Sequence, residues 1–180
     1  MKVSDSLIPE VKILEPTVFP DERGYFFESF NKRVFEESLD LKCEFVQDNC
    51  SKSHKGVLRG LHIQSAPKMQ AKLIRIVSGE IFDVAVDMRK NSVTYGKWVG
   101  EILSAQNKKQ LWIPEGFAHG FLTLSTEATV LYKCSDYYSP QHEKVIAWDD
   151  KNIAIAWPIS QIENISVSEK DANGIPFEDY

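Results

Sequence analysis

Several signals that mark whole classes of proteins are missing from this sequence of 180 residues. The three cysteines, Cys43, Cys50 and Cys134, are odd in number and form no CxxC pair, so we expect free thiols in the reducing cytosol. No apolar run approaches the roughly 20 residues that cross a bilayer. The N-terminal segment MKVSDSLIPEVK also lacks the apolar core of a signal peptide. These absences predict a cytoplasmic protein without a membrane partner.

Common nucleotide-binding and hydrolase motifs are absent as well. The nine glycines never form GxGxxG or GxxxxGKS/T, which argues against a Rossmann dinucleotide site and a P-loop. No GxSxG nucleophile elbow occurs. The net charge is −5 and the pI is near 5.4, which argues against a broad nucleic-acid-binding surface. A small anionic ligand is still compatible with a local cluster of arginine and lysine.

The sequence does contain a long series of short β-patterns. Its length and its 43% hydrophobic content predict one globular domain over residues 1–180. The only convincing helix is Asn31–Leu39, whose apolar residues lie on one side. From Lys72 onward the side chains alternate as they do in strands, and Lys72, Ile74 and Ile76 share one face.

The next strand places Phe82, Val84, Val86 and Met88 on one face and Asp83, Ala85 and Asp87 on the other. Further strands are predicted at Val11–Val18, Trp98–Leu103, Gln110–Ile113, Gly120–Leu124, Thr129–Cys134 and Lys144–Trp148. Such a series favours an all-β antiparallel sandwich or jelly roll with one or two short helices over a βαβ fold.

Two blocks concentrate residues that can do chemistry. The first, GVLRGLHIQSAPKMQAK, contains Arg59, His62 and Lys72, and the second, WIPEGFAHGF, contains His119. The second block has the PxGxxH pattern of metal-binding jelly rolls, but the HxH pattern that should precede it is broken because Gln64 follows His62. Two histidines without a carboxylate form a poor site for a labile divalent ion. We therefore expect no metal and no cofactor.

These residues suit removal of a proton from a carbon next to a ketone. Such a reaction needs a base with a pKa near neutral and a positive charge where the enolate oxygen develops. His62 is the natural base and Lys72 the natural oxyanion stabiliser. Tyr132 could return a proton on the opposite face, and Asp171 is a candidate to orient the imidazole.

Each of these residues also has an ordinary structural interpretation. His62 and His119 could be hydrogen-bonded or loop-capping histidines, and Lys72 could be an exposed strand lysine. Tyr132 could belong to the core, with its hydroxyl at the rim. Asp171 could be a turn residue beside Asn173-Gly174. The residue pattern alone leaves these alternatives open.

The same residues lie in longer motifs that resemble the dTDP-4-dehydrorhamnose 3,5-epimerase family. The resemblance runs from about residue 7 to residue 177 in the family's order. The motifs that carry it are FPDERGYFFESF (19–30), FVQDNCSKSHKGVLRGLH (45–62), KLIRIVSGEIFDVAVDMRK (72–90), KQLWIPEGFAHGF (109–121) and LYKCSDYYSP (131–140).

This resemblance implies a cupin-like jelly roll that works as a homodimer without metal or cofactor. The implied substrate is dTDP-4-keto-6-deoxyglucose, which is inverted at C3 and C5. By resemblance, His62 is the base, Asp171 orients it, Lys72 stabilises the enolate and Tyr132 is the acid. The positions that match substrate contacts are Arg23, Glu28, Gln47, Asp48, Asn49, Arg59, His119, Tyr138, which stacks on thymine, Glu143 and Lys170.

Other functions remain compatible with this set of residues. An epimerase acting at C3 only, or on another nucleotide-linked 4-ketosugar, would share the base and the acid. A sugar-nucleotide binder without activity would need the pocket but no acid–base pair, which makes it the weaker alternative. A metal-dependent cupin is disfavoured by the broken HxH pattern.

Overall fold

The computed structural model describes residues 1–180, apart from the side chain of Gln161. Within these residues the chain forms thirteen strands and two α-helices, which confirms the predicted all-β class with one or two short helices. The strands are β1 (Lys2–Asp5), β2 (Lys12–Glu15), β3 (Phe19–Asp21), β4 (Gly24–Phe26), β5 (Gln47–His54), β6 (Leu58–Gln64), β7 (Lys72–Ser78), β8 (Glu80–Asp87), β9 (Trp98–Ser104), β10 (Gln110–Ile113), β11 (Phe117–Thr123), β12 (Glu127–Cys134) and β13 (Glu143–Val145). The helices are α1 (Lys32–Leu39) and α2 (Glu169–Ala172), and 3-10 turns occur at Ile159–Gln161 and Phe177–Asp179.

Two antiparallel sheets form the body of the fold. One has the order β1-β2-β10-β7-β12-β5 and the other the order β13-β6-β11-β8-β9, while β3 and β4 form a separate hairpin. The core between the sheets contains Ile74 and Val130 from the first sheet and Ala85 and Phe121 from the second. Burial of these apolar faces against each other is what holds the two sheets together.

The alternation predicted along β7 and β8 is present. Lys72, Ile74 and Ile76 all turn inward and are 8%, 0% and 7% exposed. On β8, Val84 and Val86 face away from the first sheet, into a second apolar cluster. The C-terminal part of the chain covers this outer face with residues such as Ile153 and Trp157. Because both faces of β8 are covered, Asp83 and Asp87 are buried rather than solvated.

Helix α1 lies where the sequence predicts it. The side chain of Asn31 caps its first turn by accepting a hydrogen bond from the backbone N–H of Val34, at 3.2 Å. Phe35 is buried and contacts the rings of Phe45 and Trp112, which attaches the helix to the first sheet.

The strand boundaries differ from the predicted ones by a few residues. The prediction Val11–Val18 shortens to Lys12–Glu15, since Pro16 has no N–H to continue the ladder. The prediction Lys144–Trp148 becomes Glu143–Val145, and Gly120–Leu124 becomes Phe117–Thr123. Among the described residues, no helix combines the length and hydropathy that a membrane span requires.

Candidate active site

A cavity of about 300 Å³ opens between the two sheets. Strand β6 of the second sheet forms one wall, and strands β5, β7 and β12 of the first sheet form the other. The side chains that line it include His62, Lys72, Tyr132, Gln47, Asn49 and Glu143. The sandwich thus brings residues from the two separate sequence blocks and from later strands into one space.

His62 forms a dyad with Asp171 at the wall of this cavity. The Nε2 atom of His62 lies 2.6 Å from Oδ1 of Asp171, although 109 residues separate them in the chain. Burial alone raises the pKa of Asp171, but hydrogen bonds with His62, the Gly60 N–H and Ser168 outweigh burial and lower the pKa. The carboxylate therefore stays ionised, and an ionised partner holds the imidazole in one orientation and stabilises its protonated form.

Asp171 reaches the dyad because the C-terminal segment is tied to the second sheet on both sides of α2. Before the helix, the Leu58 N–H donates to the Ser166 carbonyl at 2.9 Å. After it, the Ile175 N–H donates to the Val145 carbonyl at 2.8 Å. Ser168 caps the four-residue helix by accepting from the Asp171 N–H. A helix this short is not stable alone, so these anchors position the carboxylate.

Lys72 is the cation of the site and begins strand β7. Its side chain is 8% exposed and lines the cavity, and among the described residues its Nζ takes part in no hydrogen bond or salt bridge. Burial lowers the pKa of Lys72, while Cys134, Asp83 and Glu143 nearby counteract part of the shift. A buried ammonium without a partner is costly to the fold, which is typical of a group retained for chemistry rather than for stability.

Tyr132 faces the cavity from β12, in the sheet opposite His62. Burial raises the pKa of its phenol, with a further contribution from Cys134, while Arg59 opposes the shift. The phenol therefore remains protonated at neutral pH and is available as a proton donor. Since His62 and Tyr132 belong to different sheets, an imidazole and a phenol approach the same space from opposite walls.

A second histidine–carboxylate pair lies beside the first, and sequence reasoning found only half of it. His119 pairs with His62 across β11 and β6, and its Nε2 atom lies 2.9 and 3.1 Å from the two carboxylate oxygens of Asp83. Burial lowers the pKa of His119, and Asp83 opposes that effect. The sequence pattern assigned Asp83 only to a strand face shared with Ala85 and Asp87, so no role was predicted for it. The available signal was a carboxylate between the apolar residues Phe82 and Val84 in the interior of the strand.

The mouth of the cavity gathers a third group of predicted residues. The hydroxyl of Tyr138 donates to Oε2 of Glu143 at 2.6 Å, and Nζ of Lys170 lies 2.5 Å from the same oxygen. The backbone N–H of Tyr138 donates to Oε1 of Gln47 at 2.9 Å, and Gln47 also donates to Asn49. These five predicted residues are therefore linked in one network.

Six of the predicted substrate contacts do not line the cavity in this single chain. Two of them, His119 and Lys170, form the bonds to Asp83 and Glu143 described above, and the other four are Asp48, Arg59, Arg23 and Glu28. Side chains alternate along β5, so Gln47 and Asn49 face the cavity and Asp48 faces the other side of the sheet. There Asp48 pairs with Lys133 at 2.9 Å. Arg59 is exposed and donates to Oγ of Ser53 at 3.0 Å. The other two lie near the β3–β4 hairpin. They are Arg23, which pairs with Asp21, and Glu28, which accepts from Asn31.

In the described part of the chain, no three His, Cys, Asp or Glu side chains are grouped closely enough to hold a metal ion together. Gln64 occupies the second position of the broken HxH pattern and lines the cavity beside His62. The two histidines are each paired with a carboxylate instead of with a common ligand site. That the reaction proceeds without metal stays a prediction.

Comparison with known proteins agrees with the resemblance seen in the sequence. The family model described as dTDP-4-dehydrorhamnose 3,5-epimerase matches residues 5–179. The dTDP-4-dehydrorhamnose 3,5-epimerase of Shigella flexneri is 60% identical over 179 residues, which are 99% of this chain and 97% of that protein. The corresponding protein of Salmonella typhimurium is 58% identical over 172 residues, 96% of this chain and 94% of that one.

A solved structure agrees equally well. The dTDP-6-deoxy-D-glucose-3,5-epimerase of Legionella pneumophila, in complex with dTDP-4-keto-L-rhamnose, superposes with a TM-score of 0.94 at 50% identity, covering 98% of this chain and 93% of that one. The cupin-like jelly roll is thereby confirmed, and a nucleotide sugar is the class of substrate. The chain belongs to the dTDP-4-dehydrorhamnose 3,5-epimerase family and is an isomerase.

Proposed function

We propose that His62, Lys72 and Tyr132 carry out the epimerisation of this family in the cavity between the sheets. The substrate is dTDP-4-keto-6-deoxyglucose, and the carbons inverted are C3 and C5, which flank the C4 ketone. The observation that carries the proposal is the position of the His62–Asp171 dyad and Tyr132 in opposite sheets, around the unpartnered ammonium of Lys72.

Each inversion consists of one proton removal and one proton return. His62 takes the proton from the carbon, and the electron pair of the C–H bond moves into an enolate whose oxygen is the former C4 ketone. The ammonium of Lys72 stabilises that oxygen, because a cation in a site with little water interacts strongly with developing negative charge. Tyr132 then donates its proton to the opposite face of the same carbon, and solvent restores both groups.

The residues at the mouth suit recognition of the nucleotide. Tyr138 offers an aromatic ring for stacking on thymine, and the linked side chains of Gln47, Asn49, Glu143 and Lys170 offer hydrogen bonds to the sugar and the base. Arg59 and Arg23 supply guanidinium groups, which match the oxygens of a diphosphate. His119, whose Nε2 donates to Asp83, would accept a hydrogen bond from a sugar hydroxyl at its other ring nitrogen.

We also propose that the protein works as a homodimer in which the β3–β4 hairpin enters the partner. Phe19, Tyr25 and Phe26 on this hairpin are 59%, 58% and 67% exposed. Large apolar side chains grouped in this way are typical of an interaction surface. Arg23 and Glu28 lie at or just after the same hairpin, so the partner's Arg23 and Glu28 would complete the cavity. The three cysteines are free among the described residues, which supports a reducing cytoplasm as the location we propose. We also propose that residues 1–180 act as one domain.

Incubation with dTDP-4-keto-6-deoxyglucose in D2O tests the proposal. We expect NMR to show deuterium at both C3 and C5, and a downstream reductase to trap the L-configured product. Incorporation at C3 alone would replace the proposal with a C3 epimerase. An absence of exchange at both carbons would refute it.

Two variants assign the roles of the residues in the same assay. His62→Ala should abolish exchange while dTDP binding persists, and a near-normal rate would remove His62 as the base. Tyr132→Phe should still exchange a proton with solvent but should fail to complete inversion. Normal formation of the doubly inverted product by this variant would remove Tyr132 as the acid.

A further inference from the structure

Gln64 is the residue at which the sequence departs from the HxH pattern of metal-binding jelly rolls, and the proposed chemistry gives it no role. It is the last residue of β6, two positions after His62. Its side chain is 5% exposed and lines the cavity. A buried amide must satisfy its hydrogen-bonding groups within the protein, so its partners indicate what it does.

The amide of Gln64 is fully engaged with backbone groups of two loops. Its Oε1 accepts from the N–H of Ser139 at 2.7 Å. Its Nε2 donates to the carbonyl of Lys68 at 2.6 Å and to the carbonyl of Tyr137 at 3.3 Å. Two of these partners belong to the segment 135–142 between β12 and β13, which we call the mouth loop. The amide therefore ties the mouth loop to β6 and to the turn that follows it.

The hydrogen bonds of Gln64 lie on both sides of one residue of the proposed nucleotide site, Tyr138. Tyr137 and Ser139, which both bond to Gln64, are the neighbours of Tyr138 on its two sides. Tyr138 itself contacts Gln64's cross-strand partner, Glu143, through its hydroxyl. The Gln64 side chain therefore fixes the backbone on both sides of Tyr138, and the backbone pairing of Gln64 fixes the strand that carries Glu143, the acceptor of the Tyr138 hydroxyl.

Only an amide satisfies all three contacts at this position. A carboxylate accepts from Ser139 but repels the two carbonyl oxygens of Lys68 and Tyr137. A thioether of the same length makes none of the three bonds and leaves buried backbone groups unsatisfied. Glutamine is therefore a specific requirement of this loop and not merely the residue left where a metal ligand is missing.

We propose that Gln64 is a positioning residue for nucleotide recognition. It holds the mouth loop so that Tyr138 and Glu143 stand at the cavity in the conformation that receives the base and sugar. It acts through Tyr138 and takes no part in proton transfer at His62. This inference rests on the proposed role of Tyr138 in nucleotide binding.

The test compares Gln64→Glu with wild type in two measurements, the Kd for dTDP by calorimetry and the steady-state kcat and KM for the 4-ketosugar. We expect the Kd and KM to rise by about tenfold or more, since that corresponds to one lost buried hydrogen bond. We expect kcat to change by less than about threefold. Asn107→Asp is the matched control, because the Asn107 amide also bridges backbone groups, accepting from the Ser104 N–H and donating to the Ile102 carbonyl, in the turn between β9 and β10 outside the cavity lining. It should leave Kd, KM and kcat unchanged.

A double-mutant cycle shows whether the effect passes through the ring. If Gln64 acts through Tyr138, then Tyr138→Ala and Gln64→Glu combined should raise the Kd little more than Tyr138→Ala alone. Lowering the pH from 8 to 5 should restore dTDP binding to Gln64→Glu, because the protonated carboxyl regains one donor. Gln64→Met has no group to protonate and should show no such recovery, which keeps the test valid if one variant folds poorly.

Normal Kd and KM in folded Gln64→Glu and Gln64→Met would overturn the proposal. So would fully additive effects in the cycle, or a loss confined to kcat. These outcomes are distinct from failure of the proposed function. A wild type that binds dTDP but exchanges no deuterium at C3 or C5 would refute the epimerase assignment and leave the role of Gln64 in nucleotide binding to be judged by Kd alone.

Discussion

At the scale of single residues, the candidate site contains buried charged groups whose burial lowers the stability of the fold. Lys72 is a buried cation without a protein partner, and Asp171 is a buried carboxylate whose main partner is one imidazole. Desolvation works against the charged form of each. We propose that these groups are retained because the substrate or the neighbouring imidazole uses their charge.

Replacement of Asp171 with asparagine should lower kcat sharply without unfolding the protein. The amide keeps the size of the side chain but no longer stabilises a protonated imidazole, so we expect kcat to fall by about 10²–10⁴-fold. The Kd for dTDP should stay close to that of wild type. Steady-state kinetics and calorimetry measure both quantities, and a kcat within about threefold of wild type would contradict the dyad.

Replacement of Lys72 with methionine should abolish turnover and stabilise the fold. Removal of a buried charge should raise the free energy of unfolding at neutral pH by on the order of 1–3 kcal/mol. Folding lowers the pKa of Lys72 from 10.5. At pH values between this lowered pKa and 10.5, the unfolded wild-type chain therefore binds more protons than the folded chain. The stability of wild type therefore rises with pH towards 10.5, and the advantage of the variant shrinks.

Urea unfolding between pH 6 and pH 10 measures this difference in stability. Lys133→Met is a suitable control, since Lys133 lies on the outer face of β12 and pairs with Asp48. It should change the stability by less than about 1 kcal/mol. A Lys72→Met variant less stable than wild type across this range would show that the ammonium is satisfied in the fold.

At the scale of elements, two neighbouring strands hold the two histidines in register. Strands β6 and β11 pair His62 with His119, and the register shifts between His119 and Phe121. Gly60 and Gly120 face each other at this irregularity. A Cβ on Gly120 would lie 2.6 Å from the Arg59 carbonyl oxygen, and one on Gly60 would lie 2.7 Å from the Gly120 Cα. The strands approach so closely here that only glycine fits.

Gly120→Ala should therefore push β6 and β11 apart next to the site. We expect a loss of roughly 1–3 kcal/mol in the free energy of unfolding and a lower kcat, because both histidines lie on the displaced strands. Ala118→Gly changes one methyl group on the same strand without forcing the strands apart. It should lower stability but leave kcat near that of wild type. Unfolding curves and kinetics of the two variants check this, and normal kcat in folded Gly120→Ala would contradict it.

At the scale of the whole molecule, the cavity of a single chain lacks residues that the family resemblance assigns to the substrate site. Arg23 and Glu28 match positions that contact substrate, yet neither lines the cavity, and the Arg23 side chain is 84% exposed. An exposed apolar hairpin carries Arg23. Exchange of this hairpin between two copies accounts for both facts, since an isologous dimer would complete two sites at once.

Mixed dimers test this exchange. We expect Arg23→Ala and His62→Ala to be nearly inactive alone, the first through a high KM and the second through a low kcat. When the two are unfolded and refolded together, half of the dimers should be mixed and each should contain one intact site, giving about one quarter of the wild-type rate. No recovery in a mixture shown by native mass spectrometry to contain mixed dimers would place Arg23 in the site of its own chain, or outside any site.

Local patterns in the sequence were sufficient for the class of fold and for much of the chemistry. Period-two alternation predicted strands such as β7 and β10, and the apolar side of Asn31–Leu39 predicted α1, because these signals depend on neighbouring residues alone. Residue chemistry predicted roles for His62, Lys72 and Tyr132, and the match of long motifs to a known family predicted the same roles. The match also pointed to Asp171, whose own local sequence looks like an ordinary turn.

Only the tertiary structure decided which of these residues meet. The bond between His62 and Asp171 joins positions 109 residues apart, and it depends on how the C-terminal segment lies across the second sheet. Asp83 became part of the site because both faces of β8 are covered, and Asp48 was turned away because strand side chains alternate. Gln64 acquired three backbone partners from two loops. Local sequence determines which segments form strands or helices and which of their faces are apolar. Contacts between elements that are distant in the sequence depend on the packing of the whole chain.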